Sequence, residues 1–233
     1  MSIKDRASVS ESLKGGGSVN IEDCFSTYVY TGNAPTGQSI VNKLDLSIDG
    51  GMVWFKGRTT PDDHYLFDTV RGATNFIRSN GVTGEATDAT MLTSFNTDGY
   101  TIGGSYGIGN TGSNYSSWSF KNTPRFFNTQ EVVKATGTTK TVDLSSLVDV
   151  GMVFVKRTDA SEDWRVWHKD LTTGKLLILN NTDVETIRGP ITMSGTTLSL
   201  VDAVIPDGTY VVYAWADDPL GASGDGSDGM IAC

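Results

Sequence analysis

Cysteine is nearly missing from this chain: its 233 residues include two, Cys24 and Cys233, near opposite ends. Two thiols build no disulfide framework. Histidine also occurs twice, as His64 and His168. Charge is sparse and of one dominant sign, with 18 Lys and Arg against 27 Asp and Glu, a net charge of −9. Phosphate backbones are bound by concentrated positive charge, so nucleic acid is not expected as a partner. Basic anchoring to an anionic membrane surface is disfavoured for the same reason. No apolar run approaches the roughly 18 residues of a membrane span, so no membrane insertion is expected. Residues 1–18 lack the apolar core of a secretory signal.

What the chain does have is glycine, 27 residues of it, together with much Ser, Thr and Asn. That composition favours strands and turns over helices. Met52–Lys56 and Met152–Lys156 are short apolar runs that suit strands buried on both faces. Asp49-Gly50, Asp98-Gly99 and Pro206-Asp207-Gly208 are turn signals, because Gly takes positive φ without penalty. Strands are expected after turns of this kind, at Thr101-Ile102 and Thr197–Leu200. Only residues 2–14 look helical. Ser2 caps that stretch and Gly15-Gly16-Gly17 ends it. The expected fold is all-β.

The strongest signal is self-similarity. Gly51-Met52-Val53-Trp54-Phe55-Lys56 returns as Gly151-Met152-Val153-Phe154-Val155-Lys156. Both copies reach an Arg-Thr pair, Arg58-Thr59 and Arg157-Thr158. Each then makes an acidic turn, Pro61-Asp62-Asp63 and Ser161-Glu162-Asp163. Phe76–Asn80 lies opposite Leu176–Asn180, and Tyr115–Phe120 opposite Tyr210–Trp215. This predicts two tandem β-sandwich repeats, residues 20–127 and 128–219. A short helical or extended arm, residues 1–19, precedes them. Residues 220–233 read as a Gly/Asp/Ser linker. Met230–Cys233 resembles Ile21–Cys24, which opens the first unit, so the polypeptide is expected to continue into a further unit.

Candidate chemistry is thin. Gly107–Gly112 matches G-x-G-x-x-G, but a strand-like run follows it where a nucleotide site needs a helix, so a Gly-rich loop is expected. His64 and His168 read as strand-end surface residues, since no motif supplies a nucleophile beside them. The acidic pairs Asp62-Asp63, Glu162-Asp163 and Asp217-Asp218 lack calcium-loop spacing. No catalytic residue, cofactor or metal is expected, and the protein reads as a non-enzyme. Asp68 and Arg71 are expected to pair locally at the surface, a contact worth about 0–1 kcal/mol. Trp54, Trp118 and Trp215 fall in repeated runs, so core packing explains them. Trp164 and Trp167 point to opposite faces. They are the candidate contacts for a host surface glycan.

Gly51–Arg58, Leu66–Gly72 and Ser94–Gly103 together resemble a repeated module of bacteriophage tail proteins. It is similar to the β-sandwich modules, distantly lectin-like (jelly-roll) or laminin-G-like, of tail fibre and tail-associated proteins of marine and cyanobacterial phages. The resemblance covers most of residues 24–232. The second copy departs from it where His168-Lys169-Asp170-Leu171 replaces Asp68-Thr69-Val70-Arg71. The resemblance implies a structural protein of the virion tail, a homo-trimer bound to other virion tail proteins. A carbohydrate-binding adhesin module, a head fibre and a capsid decoration protein are the alternatives. Residues 1–19 would be the docking arm, with Ile3, Arg6, Val9 and Leu13 as its candidate contacts.

Overall fold

The computed structural model describes residues 19–187, 191–201 and 205–217. The expected arm residues Ile3, Arg6, Val9 and Leu13 and the linker 220–233 lie outside them. In the first half, β1 (Phe25–Thr31), β2 (Gln38–Val41), β3 (Gly51–Gly57), β4 (Tyr65–Asp68) and β5 (Asn75–Arg78) come first. They are followed by β6 (Ala86–Thr87), β7 (Leu92–Asn96), β8 (Gly99–Ile102) and β9 (Asn114–Lys121). The second half holds β10 (Phe127–Lys134), β11 (Lys140–Asp143), β12 (Val150–Arg157) and β13 (Arg165–His168). It continues with β14 (Leu177–Ile178), β15 (Ile191–Ser194), β16 (Thr197–Leu200) and β17 (Gly208–Ala216). The protein is all-β.

Four antiparallel sheets result. The first half gives β1-β9-β3-β4-β5-β6 and β2-β8-β7; the second gives β10-β17-β12-β13-β14 and β11-β16-β15. Pairings recur between the halves. Met52 lies opposite Asp68 and Phe120, and Met152 opposite His168 and Trp215. The register also corrects one sequence match. Gly57 pairs with Tyr115 and Arg157 with Tyr210, so the two Arg-Thr pairs stand one residue out of step.

Strand alternation sorts the side chains into three cores. Along β3, Val53 and Phe55 turn inward to meet Ile40, Leu92, Tyr100 and Ile102 of the small sheet. Along β12, Val153 and Val155 do the same with Val142, Ile191, Leu198 and Leu200. The opposite faces of the two large sheets are not left to water. Met52, Leu66 and Ile77 from the first half share a third core with Phe154, Trp164, Val166, Val211, Tyr213 and Trp215 from the second. The order of layers is therefore small sheet, large sheet, large sheet, small sheet.

Turn chemistry holds the strands in register. Gly99 has φ +150°, and a Cβ there would fall 2.0 Å from the Ile40 carbonyl oxygen, so β2 and β8 approach closely only with glycine at this turn. One expected loop is different. Within Gly107–Gly112 the chain makes a single helical turn, α1 (Tyr106–Gly109), whose first free N–H, on Gly107, donates to Ser105 Oγ at 3.3 Å. The serine before the run supplies the cap. β9 then begins at Asn114, so the turn does not open a βαβ unit. Among the described residues no helix is long and apolar enough to cross a membrane.

Candidate functional site

The junction between the two large sheets carries the polar chemistry of the molecule. Asp68, at the end of β4, and Arg71, in the turn after it, are buried. Arg71 Nε donates to Asp68 Oδ2 at 2.6 Å, and a terminal guanidinium nitrogen donates to the Leu66 carbonyl at 3.1 Å. The Tyr213 hydroxyl, arriving from β17, donates to the same Asp68 Oδ2 at 2.5 Å. Glu85 approaches the guanidinium at 3.2 Å. This corrects the expectation of an exposed, weak pair. The aspartate and arginine are local in sequence, but the second half covers them, and nothing in the sequence near Asp68 announces that cover. Burial opposes the Arg71 charge, yet Tyr213 and Asp68 together hold its pKa above the ordinary value. Burial also pushes the Tyr213 hydroxyl well up.

Beside this junction, residues 78–85 cross from the first half onto the second as a strap. The Arg78 carbonyl accepts from Trp164 Nε1 at 2.9 Å. The Val82 carbonyl accepts from Lys156 Nζ at 2.9 Å and from the Glu162 N–H at 2.8 Å. Glu85 N–H donates to the Thr158 carbonyl at 2.7 Å. Gly84 lies so close that a Cβ would stand 2.6 Å from the Thr158 oxygen. Under the strap Lys156 and Trp164 are fully buried. Lys156 keeps a second acceptor, the Glu162 carbonyl at 2.8 Å, and burial brings its pKa down to about 8.

The matching surface of the first half is open. Trp54, Lys56, His64, Trp118 and Phe120 line an apolar groove of about 410 Å³. Each occupies the strand position held in the second half by Phe154, Lys156, Trp164, Tyr213 and Trp215 respectively. Trp54 pairs with Trp118 as Phe154 pairs with Tyr213, and Met52 with Phe120 as Met152 with Trp215. The loop before each second strand is held alike. Asn80 Oδ1 accepts from the His64 N–H at 3.0 Å and Asn180 Oδ1 from the Trp164 N–H at 2.9 Å. Lys56 Nζ donates to the Asp62 carbonyl at 3.1 Å, as Lys156 does to Glu162. The groove floor is an edge-to-face pair, Trp54 and Trp118, 6.2 Å between ring centres. Burial, then nearby Lys56, pulls the His64 pKa below its usual range. His64 stands beside Lys56 with its charged form disfavoured, a ring donor and acceptor at the rim of an aromatic floor.

The sequence-derived candidates fall differently. Trp164 is 0% exposed, with its indole N–H bonded inside the protein, so it offers no ring face to a glycan. That is a correction, and the reason is the strap. Trp167 is half-buried and packs toward the second core, on the opposite sheet face as expected. His168 is partly covered, and its Nδ1 accepts from the Asp170 N–H at 3.2 Å. Trp118, expected in the core, lines the groove instead. Trp54 does both: it packs against the third core, edge to face on Phe154 at 6.5 Å between ring centres, and leaves part of its ring on the groove. Their exposure follows from the lack of a strap, and strand patterns do not report that. A signal was present: Gly84 in the first loop stands where Val184 stands in the second, 100 residues on. The acidic turns are structural, with Asp63 pairing Arg78 at 2.8 Å and Glu162 pairing Arg165 at 2.6 Å. Among the described residues no three His, Cys, Asp or Glu side chains gather in a way that would hold a metal. A second hollow of about 480 Å³ lies along the free edge of β1, walled by Phe25, Thr27, Val41 and Lys43.

The model of one family, described as a domain of unknown function (DUF7483), matches residues 21–227. The chain belongs to that family. No curated protein and no solved structure matches it.

Proposed function

We propose that this family member is a structural component of a bacteriophage virion. It would be a tail fibre whose N-terminal part attaches to the tail and whose distal part contributes to host adsorption, with no catalytic step of its own. In this reading residues 20–127 and 128–219 are tandem copies of one jelly-roll- or lectin-like sandwich. Residues 1–19 are the docking arm and residues 220–233 lead to a further unit. The observation that carries the reading is the third core, where the outer faces of the two large sheets close on each other around Phe154, Trp164 and Trp215. Halves joined by such a core form a stiff spacer, and stacked modules extend reach without chemistry. The resemblance of Gly51–Arg58, Leu66–Gly72 and Ser94–Gly103 to phage tail modules supports the virion assignment. It also supports a trimer seated on other tail proteins.

Deleting residues 1–18 tests it. The truncated chain should keep the unfolding midpoint of the full chain but fail to enter particles, read by immunoblot of purified virions. Normal incorporation removes the docking arm. A full-length chain missing from particles removes the virion reading altogether. Antibody labelling of intact particles separates a tail position from a head fibre or capsid decoration protein.

A carbohydrate-binding adhesin is the second reading, favoured by the aromatic floor of Trp54 and Trp118 with Lys56 and His64 at its rim. Binding on a glycan array, lost in Trp118→Ala, would establish it.

A further inference from the structure

We infer that the open groove of the first half is a docking site for an extended polypeptide strap. The occupant is the counterpart of residues 78–85 supplied by a neighbouring polypeptide that carries the same module. The inference rests on the matched pairings of the two halves, not on the virion assignment. The structure already contains one filled copy of the site. In the second half Ile77 enters the aromatic floor, the Arg78 and Val82 carbonyls accept from Trp164 and Lys156, and Glu85 N–H reaches the Thr158 carbonyl. The strap is recognised through its main chain, with one apolar side chain before it and a glycine where the backbones touch.

The first half presents the same partners unfilled. Lys56 holds the Asp62 carbonyl but has, among the described residues, no second acceptor corresponding to Val82. Asp62 N–H and the Arg58 carbonyl, which match Glu162 N–H and the Thr158 carbonyl, have no main-chain partner among the described residues. The His64 ring stands where the Trp164 indole donates.

The chain's own second loop does not serve. Residues 179–185 match the strap in sequence position, but Val184 replaces Gly84. A Cβ at position 84 would already lie 2.6 Å from a carbonyl oxygen and 3.1 Å from a second one. An isopropyl group there is excluded by sterics. Accordingly Val184 is 82% exposed. Although Leu179 at the start of the loop packs against the third core, no main-chain bond joins residues 180–185 to Lys56, Asp62 or Arg58 among the described residues; Glu185 bonds Thr172 and Lys175 instead. The strap of a second copy of this chain is already engaged with its own second half. The occupant is therefore a different polypeptide with an apolar residue at the place of Ile77 and glycine at the place of Gly84.

A fluorescent peptide with the sequence of residues 76–87, titrated against the intact chain, tests this by anisotropy. Saturable one-to-one binding is expected, weakened about tenfold or more by Lys56→Met and by Trp118→Ala. A peptide carrying Val at the Gly84 position should lose binding to the same degree. Both protein variants are checked for a retained cooperative unfolding transition well above the assay temperature, and His64→Ala is the substitute if Trp118→Ala fails to fold. No binding at about 1 mM peptide, the weak end of specific recognition, overturns the proposal. So does binding indifferent to Lys56 and Trp118, or to the glycine. Glycan binding at the groove that the peptide does not displace assigns the site to sugar instead. Self-association of the chain lost in Lys56→Met assigns it to a second copy.

Discussion

The two halves carry the same strand pairings, yet one aromatic face is sealed and the other is open. Phe154, Trp164, Tyr213 and Trp215 are almost wholly buried, while Trp54, His64, Trp118 and Phe120 keep part of their surface in water. The residue classes barely differ: three of the five positions hold Phe, Tyr or Trp in both halves, one holds Lys in both, and one sets His64 against Trp164. The difference lies in what crosses over them. A strap with glycine at position 84 seals one face, and a loop with valine at position 184 leaves the other unsealed. Exposure of an apolar face is thus decided by a neighbour's backbone rather than by the face itself.

The largest effect should come from breaking the polar junction that fixes the sealed side. Asp68→Asn leaves Arg71 buried beside a neutral amide, whose single oxygen cannot accept both from the Arg71 N–H and from the Tyr213 hydroxyl. Removing one partner of a buried pair costs about 3–5 kcal/mol. Urea unfolding should show a loss of that size, and the third core should become accessible to a protease. A loss below about 1 kcal/mol, the range of a surface pair, would mean that the junction is solvated and the halves separable.

Next comes the strap. Gly84→Val copies the second half's residue into the first. The side chain meets the Thr158 carbonyl, and overpacking of this kind costs about 1–3 kcal/mol. Trp164 fluorescence should shift toward a wetter environment as the strap lifts. If stability and emission stay unchanged, valine is not what keeps residues 179–185 unseated.

Lys156 gives a smaller effect with a distinct pH signature. Its pKa falls from 10.5 unfolded to about 8 folded. Between those values the unfolded chain holds more protons than the folded one, so stability rises with pH across that window. Lys156→Met should abolish this rise, seen as a flatter plot of urea midpoint against pH from 8 to 9, below the range in which the Cys24 thiol, pushed by burial from 9.0 up to about 12, acts oppositely. Tyr100 and Tyr210, held above their normal pKa by burial, act oppositely only at higher pH.

Much of the fold was legible. The all-β class follows from composition and turn signals, and the similar runs Gly51–Lys56 and Gly151–Lys156 fall in β3 and β12, with Tyr115–Phe120 and Tyr210–Trp215 paired to them in β9 and β17. Those readings used periodicity, which is local. The misreadings concern contacts between the halves. Asp68 and Arg71 looked exposed because three residues of sequence say nothing about Tyr213, 145 residues away. Trp164 looked available because the Arg78 carbonyl that holds its indole belongs to the other half. The helical turn Tyr106–Gly109 was hidden by its glycines, which disfavour helix, and is held by Ser105 and by Ile108 buried in the first core.

The smallest effect belongs to the open groove, and it is the sharpest test of the contrast. Trp118 sits opposite Trp54 as Tyr213 sits opposite Phe154. Were the faces equivalent, truncating either aromatic would cost the several kcal/mol typical of a buried ring, about 3–5. Trp118 has lost only part of its contact with water, meets Trp54 edge to face, and holds no buried polar partner among the described residues. Trp118→Ala is therefore expected to cost less than about 1.5 kcal/mol, near the value of one aromatic pair. Thermal unfolding of this variant beside Tyr213→Ala reads the difference directly. Equal losses would show that the groove is as much core as its sealed counterpart, and that its partial exposure has no bearing on binding.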